Sequence, residues 1–282
     1  MQFKSTEIPI GGFQTDYNDA KYVVFGVEYD RTASYREGCG MAPDVIRETA
    51  NNLETVDMFT SNDIGLMDIY DMGNLQFTNR EDLFQSIGEV LTKVRKDSKI
   101  PLILGGEHTI TAATGHNFKD SLYVMLDAHS DLRESYDGNR WSHACAARRL
   151  LDIVDTKQLV QFGIRALSME ENEFAESNNI IRFFSHNHSK EKAKKIVETV
   201  NKLGEVYDGI YLTLDMDGFD PAFVPGVGNP EPLGLTTREV FSIISQIKNI
   251  VGMDITELNP KYDSSGSSQV VAARLAMHLL SR

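Results

Sequence analysis

Eight short apolar runs punctuate the chain, at 22–27, 65–69, 101–104, 123–126, 159–163, 180–184, 211–215 and 251–255. Each has the length of a strand, and segments with helical periodicity separate several of them. Residues Arg80–Lys96 carry Leu83, Ile87, Val90, Leu91 and Val94 on one stripe. Residues 189–203 open on a serine cap and close at Gly204, and 236–248 open on Thr236-Thr237-Arg238-Glu239, close to a capping box. Residues Ser267–Leu280 set Val270, Val271, Leu275 and Leu279 on one face. Strands alternating with helices predict an α/β fold with a parallel, doubly wound sheet. No repeat, low-complexity tract or linker interrupts the pattern, so a single domain over 1–282 is expected.

Three of the runs end in chemistry. The run 123–126 leads into Asp127-Ala128-His129-Ser130-Asp131, whose alternate side chains share a face if the strand continues. The run 211–215 ends in Asp215-Met216-Asp217, and 101–104 leads into Gly105-Gly106-Glu107-His108. In an open parallel sheet ligands bind beyond the carboxyl ends of the strands. Asp127, Asp131, Asp215, Asp217, His108 and His129 are therefore expected in one crevice. There they would repel and desolvate one another unless a cation lay between them. Aspartate also caps helices at strand ends, but three such exits in one chain are poorly explained by chance. A carboxylate-rich set with a minority of imidazole and no thiolate suits Mn, with Fe, Co or Zn as substitutes. Four carboxylates exceed what one divalent ion balances. Two ions about 3.5 Å apart, with bridging carboxylates and a bridging water, would generate hydroxide near neutral pH.

Composition narrows the class. Hydrophobic residues make up 41% and charged residues 24% of 282 positions, enough for a full core. No apolar stretch approaches the roughly 18 residues of a membrane span, and Met1-Gln2-Phe3-Lys4-Ser5-Thr6-Glu7 lacks a signal-peptide layout. The two cysteines, Cys39 and Cys145, stand in no paired or metal-binding spacing. A cytoplasmic enzyme is expected, without membrane attachment or a disulfide framework. Acidic residues outnumber basic ones by 41 to 28, a net charge of −13, which disfavours nucleic acid as a partner.

Gly105-Gly106-Glu107-His108, Asp127-Ala128-His129-Ser130-Asp131 and Asp215-Met216-Asp217-Gly218-Phe219-Asp220-Pro221 resemble the three signature blocks of the ureohydrolase family. The family includes arginase, agmatinase, guanidinobutyrase and formiminoglutamase. The similarity runs from Tyr22-Val23-Val24-Phe25-Gly26 to Glu257-Leu258-Asn259-Pro260. It implies a three-layer domain with an eight-stranded, mainly parallel sheet and helices on both faces. It also implies two Mn2+ per subunit held by His108, Asp127, His129, Asp131, Asp215 and Asp217, and a homo-oligomer, trimer or hexamer. A metal-bridging hydroxide would attack a guanidinium carbon, releasing urea and an amine. By similarity Asp131 also donates the proton to the leaving amine, His143 shuttles protons to solvent, and Glu257 holds the guanidinium.

The resemblance implies a small cationic guanidino compound as substrate. The loop Leu132 to Ser142 leads into Ser142-His143-Ala144-Cys145-Ala146-Ala147-Arg148-Arg149, which resembles the agmatinase branch more than the arginases. Agmatine hydrolysis to putrescine and urea is the expected reaction, with Glu134 and Asp137 as candidates to meet the distal ammonium by sign of charge. Aminopropylagmatine, guanidinobutyrate and arginine are the alternative substrates, and metal-dependent amide hydrolysis is a remoter one. Gly40 stands where the family block usually has Arg, and Glu107 replaces a commoner Asp. The tract 220–234, with four prolines and three glycines, is expected to wall the substrate pocket.

Overall fold

Residues 2–282 are described by a computed structural model, in which strand and helix alternate along most of the chain. The strands are β1 (Phe3–Lys4), β2 (Tyr22–Gly26), β3 (Ile69–Leu75), β4 (Ile100–Leu104), β5 (Leu122–Leu126), β6 (Leu159–Ile164), β7 (Ile181–Phe184), β8 (Ile210–Asp215) and β9 (Ile250–Thr256). The helices are α1 (Ala42–Ala50), α2 (Arg80–Lys96), α3 (Ala146–Leu150), α4 (Met169–Ser177), α5 (Lys190–Gly204), α6 (Thr237–Ile244) and α7 (Ser267–Leu280). All nine strands join one sheet in the order β1-β3-β2-β4-β9-β8-β5-β6-β7. Among the strands of the described residues, only the β1–β3 pairing is antiparallel.

Strand pleating divides the core into two layers. Val24, Leu102, Leu104, Val124, Leu126, Leu212 and Leu214 face one side, where residues of α1, α5, α6 and α7 cover them. Val23, Phe25, Ile103, Tyr123, Met125 and Tyr211 face the other, under α2, α3 and α4. The helices thus lie on both faces, as a parallel sheet buried on both sides requires. Among the described residues, no helix is long and apolar enough to cross a membrane.

Two expectations need correction. The sheet has nine strands rather than eight, because the two-residue β1 adds an antiparallel edge too short to show any periodicity. The strand expected at 65–69 begins only at Ile69 and extends to Leu75. Residues Ile64–Leu66 instead form a 3-10 turn, capped by Asp63 accepting a hydrogen bond from the Gly65 amide at 2.9 Å. The polar residues Asp71, Gly73 and Asn74 disguise β3 as a loop. They are tolerated because the buried Arg47 of α1 donates to both carboxylate oxygens of Asp71, at 2.8 and 2.9 Å, and to Asn74 Oδ1 at 2.6 Å.

The register of the central strands positions the site. Leu104 pairs with Ile255, Ile255 with Leu214, and Leu214 with Leu126, so β4, β9, β8 and β5 end level with one another. Whatever follows these four strands is delivered to one edge. After β4 the chain needs glycine: a Cβ at Gly106 would lie 2.0 Å from the Tyr29 carbonyl oxygen. The Gly106 amide donates to Val27 and its carbonyl accepts from Glu257, fastening the exit of β4 to its neighbours. Gly106→Ala is expected to cost at least about 1–3 kcal/mol of stability through overpacking. Denaturant unfolding of the variant, with its retained metal content measured in parallel, checks this.

Candidate metal centre and pocket

The six residues singled out at the strand exits converge. His108, fully buried, directs Nδ1 at Asp127 Oδ2 (3.1 Å), Asp215 Oδ2 (3.2 Å) and Asp131 Oδ2 (3.3 Å). His129 Nδ1 lies 2.9 Å from Asp217 Oδ2 and 3.7 Å from Asp127 Oδ1. Asp127 therefore offers one oxygen to each of two neighbouring groups: His108, Asp127 and Asp215, and Asp127, His129 and Asp217. His108 Nδ1 and Asp127 Oδ2 are buried without a hydrogen-bond partner among the described residues. An orphaned imidazole nitrogen facing three carboxylate oxygens fits a divalent cation with oxygen and nitrogen donors.

The aspartates are aimed by backbone amides. Asp127 Oδ1 accepts from His129 N (2.6 Å), Asp215 Oδ1 from Asp217 N (2.8 Å) and Asp217 Oδ1 from Ala128 N (3.0 Å). Each carboxylate is fixed by one oxygen and turns the other toward a histidine. Asp131 does not arrive by strand alternation as expected, since β5 ends at Leu126. A turn brings it round, with φ of 52° at Asp131 and its carbonyl accepting from the Arg148 amide at 2.9 Å.

A buried polar chain lies behind His108 and carries no signature in the sequence blocks. Thr111 donates to Asp254 Oδ2 at 3.1 Å, Thr213 Oγ1 lies 3.1 Å from Thr111 Oγ1, and His108 Nε2 lies 2.9 Å from Thr213 Oγ1. With a carboxylate acceptor at its end, the hydroxyl protons run toward Asp254. His108 then donates from Nε2 and keeps the Nδ1 lone pair for the cluster. The detectable signal was a polar residue inside an apolar run, at Leu212-Thr213-Leu214 and at Met253-Asp254-Ile255.

Electrostatics reflect the crowding. Burial and the charge of Asp127 push the Asp131 carboxyl up to about 7, and burial with Asp217 and Asp127 raises Asp215 well above the usual range. Burial opposes a charge on His108, yet the surrounding carboxylates outweigh it and hold its pKa well above the ordinary value. For Asp217 burial is likewise outweighed, by His129, and the pKa is lowered.

His143 faces the same cavity, of about 240 Å³, whose walls include His129, Asp131, Arg133, Asn229 and Glu231. Its amide donates to Thr32 Oγ1 at 2.9 Å and its Nδ1 lies 3.2 Å from that oxygen. Thr32 in turn donates to Glu107 Oε2 at 2.7 Å. The single hydroxyl proton is thus engaged, so Nδ1–H donates to Thr32, and Nε2, 3.3 Å from Asn229 Nδ2, is the acceptor. Burial, with the nearby His129, lowers the His143 pKa and favours this neutral form. Glu107, noted in the sequence only as a departure, also accepts from the Arg31 amide at 2.5 Å and from the Thr32 amide.

Glu257 follows β9 at a positive φ of 61°, and its Oε1 accepts from the His108 amide at 2.8 Å. Burial and the charge of Glu107 raise its pKa well above normal. The tract 220–234 walls the cavity through Asn229 and Glu231, as expected. Glu134 does not serve as expected: Arg149 and Arg148 contact its Oε2 at 3.0 and 3.2 Å and Arg140 its Oε1 at 3.4 Å. Neither it nor the exposed Asp137 is in the cavity wall. His116 and His186 are exposed, and His278 is buried against Asp57.

The sequence matches the Arginase family over residues 20–281, and the chain belongs to that family. It is 32% identical to an agmatinase of Bacillus cereus, over 94% of this chain and 92% of the relative. It is 34% identical to an N(1)-aminopropylagmatine ureohydrolase of Thermococcus kodakarensis, over 85% and 83% of the two chains. Among solved structures, the agmatine ureohydrolase of Thermoplasma volcanium superposes with a TM-score of 0.88 at 38% identity, covering 95% of this chain and 92% of that one.

The cluster's charge balance sets the pH dependence of the metal-free fold. Raised carboxyls at Asp131 and Asp215 oppose folding once the unfolded carboxylates ionise, and the bonus from protonated His108 is lost as pH climbs through its folded pKa. Asp217, whose pKa is depressed, works the other way, its contribution disappearing only in acid. Metal-free protein should therefore lose stability as pH rises through neutrality, while a bound divalent ion gains by displacing those protons. The Tm increase on adding Mn2+ is expected to grow from about pH 5 to about pH 8. Calorimetry across that range checks it, and an increase independent of pH would remove the cluster as the binding site.

Proposed function

We propose that the chain is a cytoplasmic, homo-oligomeric agmatinase, forming a trimer or hexamer, that hydrolyses agmatine to putrescine and urea with two Mn2+ ions per subunit. The observation that carries this reading is the pair of ligand groups sharing Asp127 at the edge of a small cavity. His108, Asp127, Asp131 and Asp215 would hold one ion, and His129, Asp127 and Asp217 the other. Such a pair, when bound, supplies a water ionised near neutral pH.

The chain's own groups do the rest. Water oxygen becomes bonded to the guanidinium carbon, the bond from that carbon to the alkyl nitrogen breaks, and this nitrogen must gain a proton to leave. Asp131, facing the cavity, takes one proton from the attacking oxygen and hands it to that nitrogen. His143, neutral and within reach of Ser34 and Asn229, relays the other proton of the water, by way of solvent, to the departing amine. Glu257 anchors the guanidinium through Oε2, which accepts no other hydrogen bond among the described residues, while Oε1 stays on the His108 amide. Two free, buried cysteines support a reducing compartment. The relative named for aminopropylagmatine supports a second reading, in which the same chemistry acts on that longer substrate.

Urea release from agmatine, arginine, guanidinobutyrate and aminopropylagmatine, with Mn-loaded and metal-stripped protein, tests the reading. Mn-dependent preference for agmatine is expected. Preference for another guanidine overturns the substrate, and urea from none of them overturns the reaction. His143→Asn should lower kcat by about 100-fold or more, as expected for loss of a proton-transfer group, with partial recovery on adding imidazole to the assay.

A further inference from the structure

We infer that Glu231 is the specificity-determining residue that receives the cationic tail of the substrate. This rests on the guanidine-hydrolase reading above and deepens it by naming the group that reads the far end.

The cavity wall beyond the candidate metal ligands carries three charged side chains, Arg133, Glu171 and Glu231. Two of them neutralise each other. Glu171 is buried and accepts from the Leu132 amide at 3.1 Å, the Ser168 amide at 2.7 Å and the Ser168 hydroxyl at 2.9 Å. Its Oε2 also lies 3.5 Å from Arg133 Nε, and the Arg133 guanidinium sits over the Tyr136 ring at 5.3 Å. The Glu231 carboxylate, half-buried, accepts no hydrogen bond and forms no ion pair among the described residues. One negative charge is thus left without a partner in a cavity that admits a cation. The wall also includes Ala144, Ala166 and Leu167, apolar surface suited to a methylene chain between two charged ends.

The main chain at Glu231 is fastened to the strand exits. Arg165, following β6, makes no ion pair among the described residues and directs its guanidinium entirely at main-chain carbonyls. Nη2 donates to Asp217 O at 2.7 Å, Glu231 O at 2.9 Å and Phe219 O at 3.0 Å. Nε donates again to Glu231 O at 3.2 Å, and Nη1 to Gly163 O at 3.0 Å and Gly218 O at 3.2 Å. One planar fork therefore binds the backbone of Glu231 to the turn that carries Asp217. The carbonyls of these two residues are no farther apart than the sum of their distances to a shared nitrogen. The main chain that carries Glu231 is consequently tied to the turn that carries Asp217.

The test uses Mn-loaded enzyme and compares three substrates that share the guanidinium and differ in the tail: agmatine (ammonium), butylguanidine (methyl) and guanidinobutyrate (carboxylate). Glu231→Gln is expected to lower kcat/KM for agmatine by about 10- to 100-fold, the loss of a charged hydrogen bond. Activity on butylguanidine should stay within about twofold of wild type, which also certifies the fold and metal site of the variant. Glu231→Lys should reverse the order of agmatine and guanidinobutyrate. Equal losses on agmatine and butylguanidine, or an unchanged preference for agmatine in Glu231→Gln, would overturn the assignment while leaving the proposed reaction intact. Wild-type enzyme that favours butylguanidine over agmatine overturns the substrate reading itself, and Glu231 with it.

Discussion

Four aspartates brought within reach of two histidines in a largely buried crevice is the constraint on which the rest of the structure depends. Left to themselves these groups repel, and burial multiplies the cost. The fold meets this in three ways at once. The central strands end in register, so the groups arrive together. Backbone amides hold one oxygen of Asp127, Asp215 and Asp217, so none can swing away to solvent. The chain from Asp254 through Thr111 and Thr213 fixes the ring of His108 from behind. A cation entering such a cage meets ligands already aimed at it and relieves a repulsion that the fold has imposed.

Much of this was legible because it depends on local periodicity. Buried parallel strands write continuous apolar runs, and an abrupt switch from Leu126 to Asp127 or from Leu214 to Asp215 marks where the sheet ends and its chemistry begins. What escaped depends on partners distant in sequence. Strand β3 contains Asp71, Gly73 and Asn74 and looks like a turn until Arg47 is placed beside it. Asp131 joins the cluster by a left-handed turn rather than by strand alternation, so periodicity points to the right residue for an incomplete reason. Glu134 has the sign a cationic tail wants, but three arginines already surround it. Sign alone cannot tell a neutralised carboxylate from an unpaired one.

The same division separates the chemistry from its target. Candidate metal ligands stand on or just after strand ends of the central sheet, whereas the cavity beyond them is lined mostly from connecting segments, which carry Arg133, Tyr136, His143, Asn229 and Glu231, with Glu171 of α4 beside them. Loops on a rigid scaffold can be rewritten without disturbing the sheet beneath. Overall identity is accordingly a poor guide to substrate here. The chain is as similar to the Bacillus cereus agmatinase, at 32%, as to the Thermococcus kodakarensis aminopropylagmatine ureohydrolase, at 34%. A whole-chain identity does not separate the residues of sheet and core from those that line the cavity. Discrimination between tails has to reside in the few side chains that meet the far end of the substrate. Arg165 shows how those side chains stay accurate without becoming part of the sheet. By gripping main-chain carbonyls rather than side chains, it holds the path of the segment and leaves the side chain of Glu231 replaceable.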